Sequence, residues 1–228
     1  MQSSYFKKTM KKAWIVLCFS LLIVTLSAQE YANQNWRIVS DFENVGSANK
    51  ISFDFDSDGV KELLYSSSSS SLSNFKILDF QGDQYTEHYT SRVFQGKITW
   101  MEIYDLNSDD QNLLYFAKNN SIQVFDFRLN EIIDSITMPV PVEKFYIFTE
   151  TGDSIQKILF KSGGNILITD LEGNILVQRA FGYITDFDIA NVYGDDTKQL
   201  VINGSNGHVV KLNDLTTQWL YYGGFGLN

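Results

Sequence analysis

The chain has 228 residues, 44% of them hydrophobic, with 27 acidic against 18 basic side chains and a formal net charge of −9. That length suffices for one sizeable core or one repeat array. A negative field of this size repels polyanions, so nucleic acid is not an expected partner.

Residues 1–28 read as a signal peptide. Lys7, Lys8, Lys11 and Lys12 form a positive start, Ala13–Leu26 an apolar run, and Leu26-Ser27-Ala28 a small-residue cleavage site. The run is shorter than the roughly 20 residues of a spanning helix and lacks a positive stop-transfer flank. A cleaved signal implies export to a secreted, periplasmic or cell-surface location, with no membrane span afterwards. Loss of residues 1–29 removes four of the 18 basic residues and no acid, leaving 14 against 27 and a net charge of −13. The only cysteine, Cys18, leaves with the signal, so no disulfide is expected. In the N-terminal segment 29–49, Trp36-Arg37-Ile38-Val39-Ser40 is a candidate closing strand.

The next segment, Asp54-Phe55-Asp56-Ser57-Asp58-Gly59-Val60-Lys61-Glu62, places oxygen-bearing side chains at alternate positions of a tight loop, ahead of the apolar Leu63-Leu64-Tyr65. Alternate residues of such a loop point to one centre, and their oxygens suit a hard divalent cation. The pattern returns three times. Asp105-Leu106-Asn107-Ser108-Asp109 leads to Leu113-Leu114-Tyr115, Thr149 through Lys157 to Ile158-Leu159-Phe160, and Asn191 through Gln199 to Leu200-Val201-Ile202. The starts at 54, 105, 149 and 191 lie 51, 44 and 42 residues apart.

A second marker keeps the same period. Apolar strands end in acids at Asp79, Asp126, Asp170 and Asp214, which are 47, 44 and 44 residues apart. Two markers with one period define a repeat. Within unit two the pattern predicts strands over Trp100–Tyr104, Leu113–Ala117, Ile122–Phe127 and Glu131–Met138. Turn signals such as Glu172-Gly173-Asn174 separate the apolar runs, and no segment after the signal keeps a helical period. The reading is all-β: about four four-stranded antiparallel blades of a β-propeller, as a small ring or an incomplete one. Unit bounds fall near 50–98, 99–142, 143–183 and 184–226. The serines 66–71 read as a flexible loop after the second strand of unit one.

The loop Asp54–Glu62 and its relatives resemble the FG-GAP and VCBS class of β-propeller repeats, whose blades carry an Asp-x-Asp-x-Asp-Gly-x-x-Asp/Glu-Leu loop between their first two strands. The resemblance covers roughly residues 50–226, strongest in unit one and faintest in unit three. It implies Ca²⁺ in the loops and an extracellular binding or adhesion role.

Read chemically, unit one offers Asp54, Asp56 and Asp58, the Val60 carbonyl and Glu62, which with water reach the 6 to 8 oxygens that Ca²⁺ takes. Asp105, Asn107 and Asp109 form a second candidate set, with Asn112 near the place of Glu62. Units three and four present Thr149, Thr151 and Lys157, and Asn191, Tyr193 and Gln199, so metal is not expected there. No catalytic motif is recognised, and His88 and His208 stand outside metal-ligand spacing. Trp36, Trp100 and Trp219 could form a sugar-stacking surface, but packing between blades is the favoured reading. The expected function is an exported, non-enzymatic propeller that binds a protein or glycan at the cell surface and carries a structural Ca²⁺. The alternatives are a polysaccharide lyase or hydrolase, or a fragment of a larger propeller protein.

Overall fold

Alternating apolar residues separated by short turns, and by loops of six to eight residues between the first two strands of each unit, leave the chain after residue 50 little choice but antiparallel hairpins. The computed structural model describes residues 46, 48–69, 71–81, 84–106, 112–149, 155–194 and 197–222. Apart from Gln84 these fall in one unit, residues 42–81 with 85–228. The signal peptide, the closing-strand segment Trp36–Ser40, and Asn107 and Asp109 of the second loop lie outside the described residues.

Four four-stranded antiparallel meanders follow one another. The first blade has β1 (Ile51–Phe53), β2 (Glu62–Ser69), β3 (Leu72–Gln81) and β4 (Gln84–Thr90), with the short β5 (Phe94–Gln95) also pairing β3. The second has β6 (Trp100–Tyr104), β7 (Leu113–Lys118), β8 (Ser121–Asp126) and β9 (Glu131–Thr137). The third has β10 (Lys144–Thr149), β11 (Gln156–Ser162), β12 (Asn165–Thr169) and β13 (Ile175–Ala180). The fourth has β14 (Ile184–Ala190), β15 (Gln199–Gly204), β16 (Asn206–Lys211) and β17 (Thr217–Tyr222). No helix occurs among the described residues, so none is long and apolar enough to cross a membrane.

The core sits between blades. A strand's side chains alternate between its two faces, so each central strand of the second and third blades feeds two seams. Leu114 and Phe116 of β7 join Leu64, Phe75 and Ile77 of the first blade, whereas Tyr115 and Ala117 join Phe145, Ile158 and Phe160 of the third. In β12, Leu167 turns to the second blade while Ile166 and Ile168 meet Phe187, Leu200 and Ile202 of the fourth. These side chains are all under 9% exposed, and removing each leucine, isoleucine or phenylalanine among them from water contributes about 1.5–3 kcal/mol. A blade alone would expose both faces, which is why the units are stable only in contact.

Polar ties cross the same seams at the repeat spacing. The Asn49 side chain accepts from the Met101 amide and donates to the Met101 carbonyl, both at 2.8 Å. Thr99 Oγ1 donates to the Val142 carbonyl at 2.8 Å, and the Ile147 amide donates to Tyr104 Oη at 2.9 Å.

The marker acids cap hairpins. Asp126 accepts from the amides of Arg128 and Leu129 at 2.8 and 3.3 Å, Asp170 from the Asn174 amide at 2.8 Å, and Asp214 from the Thr216 amide at 2.9 Å. Such local bonds are what Asp supplies in turns. Asp79 differs, since its Oδ2 lies 2.8 Å from His88 Nδ1 on β4. The Arg128 guanidinium, 2.8 Å from the buried Asp126, holds that carboxyl below the usual carboxylate range. A depressed folded pKa adds stability that is complete above the unfolded value near pH 4 and is lost as pH falls through the folded one. Asp126→Asn is expected to lower stability by about 2 kcal/mol at pH 7 and by progressively less toward pH 2. Urea midpoints of both proteins across that range check it, and a pH-independent difference would refute the electrostatic account.

Two expectations are corrected. The serines 66–68 are not a flexible loop but extend β2, pairing with Phe75, Asn74 and Ser73, and Ser66 is buried. Cross-strand pairing with the long β3 outweighs the low strand preference of serine. Trp219 does not pack between blades. It is 48% exposed and stacks on Tyr221 at 5.9 Å, whereas Trp100 does sit against the second seam.

Candidate metal loop and inner-strand pocket

The loop between β1 and β2 is shaped by its own carboxylates. Asp54 Oδ2 accepts from the Gly59 amide at 3.0 Å, Asp56 Oδ1 from Asp58 at 3.2 Å, and Asp58 Oδ1 from Val60 at 2.7 Å. Ser57 and Gly59 take left-handed backbone, with φ of 64° and 87°, which wraps the chain tightly enough for these bonds. One oxygen from each of Asp54, Asp56 and Asp58 lies within 4.8 Å of the others. Three carboxylates so close repel one another unless a cation lies between them. Asp54 Oδ1 is buried and has no hydrogen-bond partner, so it is an acceptor in want of a positive charge. The residues fit a hard divalent ion.

Glu62 stands outside that trio. It is 3% exposed, and its Oε2 accepts from the Phe55 amide at 2.5 Å, tying the loop to the start of β2. Gln199 does the same in the fourth blade, accepting from the Val192 amide at 2.9 Å. The position therefore serves loop closure with or without charge. Val60 is exposed on the loop's outgoing arm.

Phe55, the residue between the first two acids, goes inward. Its ring meets Phe53 at 5.8 Å, Tyr89 at 5.8 Å, His88 at 5.4 Å and Phe127 of the second blade at 5.4 Å. This plug holds the loop against the first seam independently of any ion. The bond to Asp79 raises the pKa of His88, and the nearby Asp56 and Glu62 add to it. An apolar residue inside an otherwise polar loop was the only sequence signal for the plug.

The other loops fit less well. In the second, Asp105 follows β6 directly, and Leu113 faces Tyr104 in the register where Glu62 faces Phe53. Asn112 is exposed one residue earlier, so it does not occupy the place expected for it. In the third, Lys157 stands at that register opposite Phe148, and a lysine there opposes a cation.

A second arrangement escaped sequence reasoning. The inner strands β6, β10 and β14 align as Trp100-Met-Glu102-Ile-Tyr104, Lys144-Phe-Tyr146-Ile-Phe148 and Asp186-Phe-Asp188-Ile-Ala190. Their second and fourth residues face a seam, whereas Lys144 meets Trp100 and Asp186, and Tyr146 meets Asp188, across neighbouring blades. Lys144, 7% exposed, bonds Asp186 at 2.9 Å and lies over Trp100 at 4.5 Å, Phe187 at 5.2 Å and Tyr146 at 5.3 Å. An ammonium so enclosed is held by cation–π attraction as much as by its carboxylate. Trp100 Nε1 donates to Glu102 Oε1 at 2.8 Å, and Tyr146 Oη donates to Asp188 Oδ1 at 3.1 Å.

Glu102, Tyr146 and Asp188 border a pocket of about 1030 Å³ that also reaches Thr149, Lys198, Lys211 and Gln218. Burial raises the Glu102 carboxyl above its usual range. Burial, with Asp188 and Glu102 adding, raises the Tyr146 phenol. The signal was present in the repeat period, since Glu102, Tyr146 and Asp188 are 44 and 42 residues apart.

No family model matches the chain, and no curated protein matches it. Solved structures do. A crystal structure of BBS1N in complex with ARL6DN, soaked with lead, matches 76% of this chain at 11% identity and a TM-score of 0.54. Another, soaked with mercury, matches 78% at 13% identity and a TM-score of 0.55. The chain spans 54% and 58% of the length of those two chains. At such identities the likeness concerns fold alone, and that fold is the all-β propeller with four-stranded antiparallel blades.

Proposed function

We propose that the chain is an exported, non-enzymatic β-propeller module that binds a protein or glycan at the cell surface, with a structural Ca²⁺ in its first-blade loop. The observation that carries the binding role is the set of three continuous inter-blade cores. They make a rigid frame whose strand-connecting loops are free to vary and to contact a ligand. A protein of the same fold has been crystallised in complex with another protein, which supports a protein partner. Export rests on the leader-like residues 1–28. Calcium rests on the trio Asp54, Asp56 and Asp58 and the orphaned Asp54 Oδ1, in a loop that resembles the FG-GAP and VCBS class.

The binding reading is tested by presenting the protein with panels of extracellular proteins and polysaccharides, measuring both retention and product formation. Saturable retention without new reducing ends or unsaturated products is expected. Turnover would favour the polysaccharide-active alternative and overturn the non-enzymatic one.

The ion is tested separately. Ca²⁺ at ten times its Kd is expected to stabilise the fold by about 1.4 kcal/mol, which is roughly 3–6 °C in melting temperature for a chain of this size. Asp56→Ala or Asp58→Ala should remove most of that rise. Identical melting curves in excess EDTA and in Ca²⁺ would defeat the claim.

A further inference from the structure

The inner-strand pocket has a composition that narrows what could enter it. Its lining carries two acids, Glu102 and Asp188, and two lysines, Lys198 and Lys211. The formal charge of that lining is therefore zero. A strongly anionic ligand would meet Glu102 and Asp188, and a strongly cationic one would meet the lysines, so neither is favoured. A purely apolar ligand is also disfavoured, because Tyr104, Tyr146, Thr149, Thr197, Asn213 and Gln218 would lose water without a replacement bond. Polar groups of both senses remain beside the half-buried apolar side chains of Phe148 and Leu212.

The polar groups are also held in place. Glu102 is fixed by Trp100, Tyr104 by the Ile147 amide, and Asp188 by both Tyr146 and the Ile189 amide at 2.8 Å. Each retains capacity, since a carboxylate has a second oxygen and a phenol that accepts an amide still has its own proton to donate. Preorganised groups of this kind bind without a large ordering cost. A ligand whose every polar group is both donor and acceptor, and whose ring faces are apolar, satisfies all of these features together.

We propose that the pocket between the inner strands of the second, third and fourth blades is a binding site for a neutral oligosaccharide. Its volume of about 1030 Å³ is at the top of the range for small-ligand sites, so it has room for more than one sugar ring. The proposal deepens the binding-module reading and rests on it.

The experiment is calorimetric titration of the full chain with neutral cello-, xylo-, malto-, manno- and chito-oligosaccharides. At least one series is expected to give saturable heat. Asp188→Asn and Gln218→Ala, both at exposed residues, are expected to weaken it about tenfold or more. Lys76→Ala, far off in the first blade, should bind as the unaltered chain does. Melting curves of each variant separate lost binding from lost fold.

Absence of saturable heat from every series overturns the proposal. So does binding that Asp188→Asn and Gln218→Ala leave unchanged, although the binding-module reading then stands, with its site elsewhere. Equal affinity for polygalacturonate, again sensitive to those variants, would overturn the neutral class. Hydrolysis abolished by those variants would support the pocket and overturn the non-enzymatic reading.

Discussion

Phe75→Ala is expected to destabilise the fold by about 3–5 kcal/mol, the range for a fully buried phenylalanine cut back to a methyl. Phe75 is 0% exposed, and its ring meets Phe94 at 5.3 Å, Phe116 at 5.0 Å and Phe125 at 5.5 Å. Two of those partners belong to the second blade, so the cavity would open in the seam and not inside one sheet. Interdigitated rings cannot all shift to fill a hole of that size. The loss should also reach the metal loop, because Phe125 continues through Phe127 to the Phe55 plug. Urea unfolding of Phe75→Ala against Phe80→Ala provides the comparison. Phe80 is 46% exposed and meets the Tyr85 ring at 5.1 Å, so its loss should stay within about 0.5–1 kcal/mol. Equal midpoint shifts in the two variants would show that the seam is not where stability resides.

Gly173→Ala is expected to cost about 3 kcal/mol for a change of one methyl group. The residue has φ of 84° in the turn between β12 and β13, a conformation that costs an L side chain about 1–2 kcal/mol. A Cβ there would also press into the backbone carbonyl oxygen of Thr137, at the end of β9 in the preceding blade. Backbone cannot swing aside as a side chain can, and forced overpacking adds about 1–3 kcal/mol. Gly59 separates the two causes. Its φ is 87°, yet a Cβ at that position meets nothing within 4 Å. Gly59→Ala should therefore cost only the conformational part, about 1–2 kcal/mol. Thermal or urea unfolding of both variants checks the difference. A Gly173→Ala cost no larger than that of Gly59→Ala would mean that the two blades do not approach as described.

Much of this architecture was legible because its signals are local. A hairpin joins residues a few positions apart, so strands β6 to β9 could be placed from alternation and turn residues alone. The period was legible for the same reason, since each blade must restate the elements that fold it. Asp126, Asp170 and Asp214 recur because each caps the same turn. The acid spacing in Asp54–Asp58 was likewise visible, because a tight loop converts alternation in sequence into proximity in space.

What lay beyond the sequence depends on contacts between blades. Whether Ser66 ends a strand or starts a loop is decided by β3, which is long enough to pair with it. Whether Asn112 or Leu113 takes the place of Glu62 is decided by pairing with Tyr104. Phe55 looks like a spacer between ligands until the second blade brings Phe127 to it. The pocket is the furthest case. Glu102, Tyr146 and Asp188 are separated by whole blades, and nothing local marks them as neighbours. Local propensity and pattern dictate each blade, whereas burial of its two apolar faces dictates which residues of different blades meet.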